Sequence, residues 1–455
     1  MQDAPVVIVG GGITGLSAAY YLNRACVEVT LIDASPRLGG VITTETVQGC
    51  VIEGGPDSFL AAKPAAMELI RELGMADEAI GSNDHQRITY IRRGGRMVPL
   101  PDGLMMMVPT RVMPMAASSL LGWGTKLRMG LEWFRKPAAQ AGDRSVAEFI
   151  REHYGQEAVD YLVEPLLSGV YGGDPEQLSA ASVLPRFVEM EAKYGSLTRG
   201  TLVGMSQAQG VPKGSAPTTK PSLFRTLKRG LGSLTAALEA SLDRTRIVHG
   251  TAEAAEEGRV RVNGEWMAAR HVVLACPAHA AAKLVPIAEL GAIAYSSSMT
   301  VALGYAKSKL ASVPPGFGFL IPSRERKRMV ACTFVGAKFD HRVPAGMGLL
   351  RCFFGGAADP GVLDLDDESV AALARQELRT LVGIVDAPEF VRISRWPRSM
   401  AQYTVGHAAR IQAIQGAGAK TPWLSLAGNA YNGIGIPDCI AMAKAAALRI
   451  AGGPS

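Results

Sequence analysis

Three glycines and one acid carry the first chemical signal: Gly10, Gly12 and Gly15, then Asp33. A glycine at 10 permits a tight turn. One at 12 has no Cβ, so a diphosphate can come against the backbone. One at 15 lets the next helix lie close to the strand before it. An acid roughly 20 residues further on stands where it can meet a ribose hydroxyl. The pattern points to dinucleotide binding. Glycine turns also arise from packing alone, so the flanking elements decide between the two.

Those elements are legible. Val6-Val7-Ile8-Val9 reads as a buried parallel strand. Leu16 to about Arg24 reads as a helix whose free N–H groups and positive dipole end face the phosphates. Val27 to Ile32 reads as a second strand ending on Asp33.

Three later stretches extend the signal. Arg37-Leu38-Gly39-Gly40 sets a second glycine pair beyond an arginine that can reach the adenosine half. It resembles the R-x-G-G motif of flavin amine oxidases and their relatives, which favours FAD over a nicotinamide. Gly54-Gly55-Pro56-Asp57-Ser58 is a rigid, non-helical passage that can run along a flavin ring. From Gly428-Asn429 to Ile434-Gly435-Ile436, glycines hold an extended passage, and a helix begins near Pro437. Beneath a flavin pyrimidine ring, that helix N-terminus would stabilise negative charge.

The bulk numbers bound the rest. A chain of 455 residues can form two or three domains around a large core. The net charge of +6 suits an anionic substrate or a membrane surface. No block of five like charges occurs, so nucleic acid is not an expected partner. The six cysteines are scattered without metal-ligand spacing and read as reduced thiols in a cytoplasmic protein. The first strand begins almost at once, so no signal or transit peptide is expected. No run of 18 apolar residues is present.

Along the chain, Lys63 to about Gly74 reads as a helix, and Arg87–Ile91 with Arg96–Leu100 as a hairpin about Gly94-Gly95. Leu104 to Phe134 reads as largely helical and methionine-rich, either core or a greasy patch resting on a membrane. Lys213–Ser222 reads as a mobile loop. Strands at 246–253, 259–262 and 271–277 are expected to rejoin the first sheet. From about 286 to 395, strands alternate with one helix, Asp367 to about Val382.

With Gly316-Phe317-Gly318-Phe319-Leu320-Ile321-Pro322, Trp396 and Gln402-Tyr403-Thr404-Val405-Gly406-His407, these motifs resemble the porphyrinogen oxidases, from Val6 to about Ala447. The resemblance implies a mixed α/β fold. It has an FAD-binding Rossmann-like domain of the p-hydroxybenzoate hydroxylase/amine oxidase type (1–81, 230–285, 396–455). An antiparallel-sheet substrate domain (82–95, 190–229, 286–395) and a helical lobe (96–189) complete it. FAD would be held without a covalent bond by Gly10, Gly11, Gly12, Ile13, Thr14, Gly15, Asp33, Ala34, Arg37, Gly39, Gly40, Gly55, Pro56, Asp57, Ser58, Trp396, Gly428, Asn429, Ile434, Gly435 and Ile436. Glu253 or Ala252 stands where a family valine offers its backbone to the adenine. Arg87 would steer a substrate propionate, and Phe319, Leu320, Phe334 and Phe353 would line the macrocycle pocket. No catalytic side chain and no metal are implied, because the cofactor performs the hard step.

The implied reaction is six-electron dehydrogenation of a porphyrinogen in heme biosynthesis, with O2 reduced to peroxide. Coproporphyrinogen III and protoporphyrinogen IX both stay open as substrates; Lys63-Pro64 and Lys444 lean toward the coproporphyrin-forming branch. A flavin amine oxidase or carotenoid desaturase would share the N-terminal motifs but not the Gly-Ile-Pro-Asp-Cys-Ile ending. A prenyl-protein chaperone of the same fold would have degraded the glycine motifs. Peripheral contact with the inner face of a membrane and the oligomeric state stay open.

Overall fold

The computed structural model describes residues 4–137, 142–209 and 222–452. The loop expected at 213–222 therefore lies, except for Ser222, outside the described residues.

The first sheet has five parallel strands in the order Thr245–His249, Val29–Asp33, Val6–Val9, His271–Leu274, Leu424–Leu426. Every residue of Val6–Val9 is buried. Val6 and Ile8 face one core, with Leu16 and Leu22 of the helix Ile13–Arg24 and Ile440 and Ala443 of the helix Ile436–Ala451. Val7 and Val9 face a second core, with Val272, Leu274, Ala278 and Ile411. Alternating side chains thus fill both faces, which is why the strand reads as an unbroken apolar run. One expectation is corrected. Arg259–Val262 does not rejoin this sheet but sits between Ala252–Glu256 and Glu265–Ala268 in a separate antiparallel sheet. Its alternation buries only Val260 and Val262, so it covers a core from one side.

A second sheet of seven strands runs Phe390–Ala401, Tyr295–Ala306, Met347–Gly355, Ala331–Phe334, Gly318–Leu320, Thr89–Arg93, Arg96–Pro99. All its pairings are antiparallel except Gly318–Leu320 with Thr89–Arg93. The helix Asp367–Val382 forms as expected and buries Val370, Ala374 and Leu378 against Met299, Val301 and Leu350. The Asp366 side chain accepts from Ser369 N–H at its start, and a left-handed Gly383 ends it. The boundaries expected at 96 and 396 fall within a hairpin and within a strand of this sheet.

The third body is helical, from Val112–Ala117 to Leu197–Gln209. Its beginning is not helical as expected: Leu104–Met105 and Val108–Pro109 pair as two short strands. The methionines divide. Met107, Met115 and Met129 are buried, whereas Met105, Met106 and Met113 are exposed. Inside, the His153 ring lies 2.9 Å from Glu132 and 3.0 Å from Glu191 through its two nitrogens, all three side chains buried.

Candidate active site

Between the two large sheets and the helical body lies a cavity of about 2590 Å³. Pockets for single small ligands run to about 1,000 Å³, so this one has room for a dinucleotide and a second large molecule.

The glycine turn forms one wall. Gly10 has φ 109° and its N–H donates to the Ile32 carbonyl at 2.8 Å. A Cβ on Gly15 would stand 1.8 Å from the Gly10 carbonyl oxygen, so the helix rests directly on the turn. Gly12 has an ordinary φ of −73°, and a Cβ there would meet nothing within 4 Å: it would project into the cavity. Asp33 accepts from Gly11 N–H at 2.5 Å and from Ser35 N–H at 2.7 Å, bracing the turn while facing the cavity. The second glycine pair folds onto the first. Gly39 N–H donates to the Gly11 carbonyl at 2.8 Å, and a Cβ on Gly40 would approach Gly12 Cα to 3.2 Å.

Gly54–Ser58 crosses from this wall to the antiparallel sheet. The Gly54 carbonyl accepts from Trp396 Nε1 at 2.7 Å and Thr300 Oγ1 at 2.8 Å. The Gly55 carbonyl accepts from the Arg351 guanidinium. Asp57 accepts from Lys338 Nζ at 2.8 and 3.1 Å and from Ser58 Oγ at 2.6 Å, with Arg351 3.9 Å away. Burial alone would raise this carboxyl; the Lys338 and Arg351 cations outweigh it and hold Asp57 well below the usual carboxylate range.

At the C-terminal end, Gly428 and Gly433 have φ of 146° and 114°. The passage between them leads into the helix Ile436–Ala451, with Pro437 in its first turn. Asp438 accepts from Gly435 N–H at 3.2 Å and from Lys63 Nζ at 2.6 Å, so the helix start is tied to the segment after Ser58.

The expected residues mostly converge. Gly10, Gly12, Ile13, Thr14, Asp33, Ala34, Gly39, Gly40, Gly55 to Ser58, Trp396, Gly428, Asn429 and Ile434 to Ile436 line the cavity, as do Arg87, Leu320 and Phe353; Phe319 borders it too, but its side chain is 1% exposed and packs in the core with Phe334. Gly11 and Gly15 shape the turn without facing it. Arg37, Glu253 and Phe334 do not line the cavity. Arg37 is exposed and donates to the Leu38, Gly40 and Ile42 carbonyls, so it staples its own loop. Glu253 points away from the cavity, to Arg261 at 3.1 Å and Gly264 N–H at 3.0 Å. Ala252, the other residue expected at this place, lines the wall with Thr251, and Glu253 next to it on the strand sends its side chain to the opposite side. Phe334 is 5% exposed and lies in the core behind the sheet, its ring 6.0 Å from that of Phe319.

Arg87 is exposed on the rim, and its guanidinium has no acceptor among the described residues. Sequence reasoning missed Lys338 and Arg351, and gave Tyr403, which stands in a quoted motif, no role of its own. Arg351 was within reach, since it lies two residues before Phe353 on one strand and its guanidinium stacks on that ring at 4.8 Å. Lys338 had no comparable signal.

Comparisons with known proteins show the family of the chain. The family model described as flavin containing amine oxidoreductase matches residues 13–451. The chain is 35% identical over 463 residues to the coproporphyrinogen III oxidase of Bacillus subtilis (strain 168), covering 97% of this chain and 96% of that protein. It is 32% identical to the coproporphyrinogen III oxidase of Staphylococcus aureus (strain NCTC 8325 / PS 47), covering 98% of each. A crystal structure from Exiguobacterium sp. 255-15, assigned to protoporphyrinogen oxidase, superposes with a TM-score of 0.87 at 32% identity over 99% of both chains. A family match across nearly the whole chain and relatives of similar length at 32–35% identity lead to one conclusion: this protein belongs to the flavin-containing amine oxidoreductase family.

Proposed function

We propose that this protein is an FAD-dependent oxidase that dehydrogenates a porphyrinogen in heme biosynthesis, with coproporphyrinogen III as the preferred substrate, O2 as electron acceptor and H2O2 as product. The observation that carries this reading is the two-sided cavity. One side is a glycine-lined dinucleotide cradle; the other presents Leu320 and Phe353 with the unpaired Arg87 at the rim. The cradle fits FAD, because Gly12 leaves open the volume that a side chain would fill.

When bound, FAD supplies the hydride acceptor for a saturated bridge carbon. The protein's part is binding and orientation. Backbone N–H groups of the turn and of the helix Ile13–Arg24 hold the diphosphate. Asp33 fixes that turn. Lys338 and Arg351 keep Asp57 ionised and fixed beside the Gly54–Ser58 passage. Leu320 and Phe353 give a flat macrocycle an apolar face, and Arg87 pairs with a propionate. The names of the relatives from Bacillus subtilis and Staphylococcus aureus support coproporphyrinogen.

Arg87→Ala tests the substrate half of the reading. Loss of one charge-assisted contact is worth about 1.5–3 kcal/mol, or about ten- to hundredfold in kcat/KM. The flavin spectrum should not change. If a methyl-ester porphyrinogen without propionate charge loses as much as the acid, Arg87 does not pair with a propionate.

A second reading concerns location. No helix among the described residues is long and apolar enough to cross a membrane. Yet Val112, Met113, Trp123, Leu127, Leu131 and Phe134 are 59–81% exposed on the helical body. Exposed Arg128 lies among them in sequence, and exposed Arg111 and Lys136 flank them. Such a patch suits peripheral contact with the inner face of an anionic membrane from the cytoplasm. Flotation with anionic vesicles should recover the protein, and Trp123→Ser with Phe134→Ser should abolish this. Indifference of the unsubstituted protein to both anionic and neutral vesicles would remove the reading.

A further inference from the structure

The stretch Gln402–His407 has no part in the mechanism above. Tyr403 lies in the cavity wall and is 3% exposed. Its hydroxyl donates to the Asn429 carbonyl at 2.9 Å and accepts from Gly433 N–H at 2.8 Å. One oxygen therefore pins both ends of the passage that leads to the last helix. The passage needs such a pin, because its glycines at 428 and 433 sit at φ values of 146° and 114° and leave it many unfolded alternatives.

The Tyr403 ring is itself held. His407 stacks on it with centroids 4.0 Å apart and planes 12° from parallel. His407 is 2% exposed, and neither ring nitrogen has a hydrogen-bond partner of ordinary geometry among the described residues. Burial pushes its pKa down to about 4, so the ring is neutral near pH 7. It serves as a flat surface.

The backbone of this loop is fastened to the helical body. Ser179 N–H donates to the Tyr403 carbonyl at 2.7 Å, and Val405 N–H to the Gln177 carbonyl at 2.9 Å. Gly406 N–H donates to Asp143 at 2.8 Å, and the same carboxylate accepts from Ser179 Oγ at 2.9 Å. Asp143 does not line the cavity.

We propose that Tyr403 is a positioning residue for FAD, and that the helical body sets the shape of the Asn429–Gly433 passage through Asp143 and the segment 177–179. This rests on the FAD reading above. A passage already fixed in its bound shape gives up less freedom when the cofactor enters, so the clamp appears as affinity.

The experiment measures FAD binding to the apoprotein by fluorescence quenching, the midpoint potential of the reconstituted flavin, and the apoprotein melting temperature. Tyr403→Phe keeps the ring but leaves a donor and an acceptor unpaired. It should weaken FAD binding about ten- to hundredfold and shift the potential. His407→Phe keeps the flat ring and should match the unsubstituted protein. His407→Ala should follow Tyr403→Phe. Asp143→Ala should weaken FAD binding in the same direction, although it touches nothing in the cavity. Unchanged affinity and potential in Tyr403→Phe would overturn the clamp. Lowered melting in Asp143→Ala with unchanged affinity would overturn the link to the helical body. Should Tyr403→Phe fail to fold, His407→Phe against His407→Ala decides the clamp. Absence of FAD binding by the unsubstituted protein would overturn the FAD reading and this proposal with it.

Discussion

Gly12→Val is expected to yield a folded protein without flavin. The backbone at Gly12 has φ −73°, which valine adopts without strain. A Cβ there meets nothing within 4 Å, so the core does not resist the change. The added branches instead occupy the space through which the diphosphate must reach the backbone. The purified variant should be colourless, should not take up FAD on titration, and should melt as the unsubstituted apoprotein does. Gly15→Ala is the contrasting control. Its Cβ would lie 1.8 Å from the Gly10 carbonyl oxygen, so it should lose the fold along with the cofactor. Full flavin occupancy in a folded Gly12→Val protein would refute the diphosphate assignment.

Arg342→Met is expected to cause the largest loss of stability without touching the cavity. Arg342 is 1% exposed, lies 2.9 Å from Glu53 and donates to Thr226 Oγ1 at 2.5 Å. Glu53 also accepts from Thr44 Oγ1 at 2.5 Å and Leu231 N–H at 2.8 Å. Removing one partner of a buried pair strands the other charge, at a cost of about 3–5 kcal/mol. The pH dependence has a definite sign. Burial already raises the Glu53 carboxyl above its usual value, and Arg342 is the leading opposing influence. Without Arg342 the folded value rises further. Between the unfolded and folded values the native state holds the extra proton, so stability falls as pH rises through that window. Urea unfolding of the apoprotein should show a larger loss at pH 8 than at pH 5. Adding Glu53→Gln should recover part of it. An equal loss at both pH values would mean that the stranded Glu53 charge is not the cause.

Much of the cofactor half was legible before any coordinates. Gly10, Gly12, Gly15 and Asp33 fall within one strand–turn–helix–strand unit, where spacing alone places them near one another. The helix Asp367–Val382 was equally plain, because its cap, periodicity and terminal glycine are local signals. The failures share a different character. Arg37 bonds to carbonyls of its own loop, contacts that its motif does not announce. The strand Arg259–Val262 has the composition of a sheet member, but composition does not say which sheet.

What the sequence determined by itself is therefore the dinucleotide turn, the glycine passages and the kinship they mark, because each depends on residues adjacent in the chain. The tertiary structure alone decided which distant polar groups meet. Asp57 and Lys338 are 281 positions apart, Gly55 and Arg351 296, and Lys63 and Asp438 375. Such pairings depend on how two sheets and a helical body dock, and no local pattern records that. The same holds for Phe334 and Phe353: both are aromatic and both lie in the antiparallel sheet, but only the face each presents separates a core residue from a cavity wall.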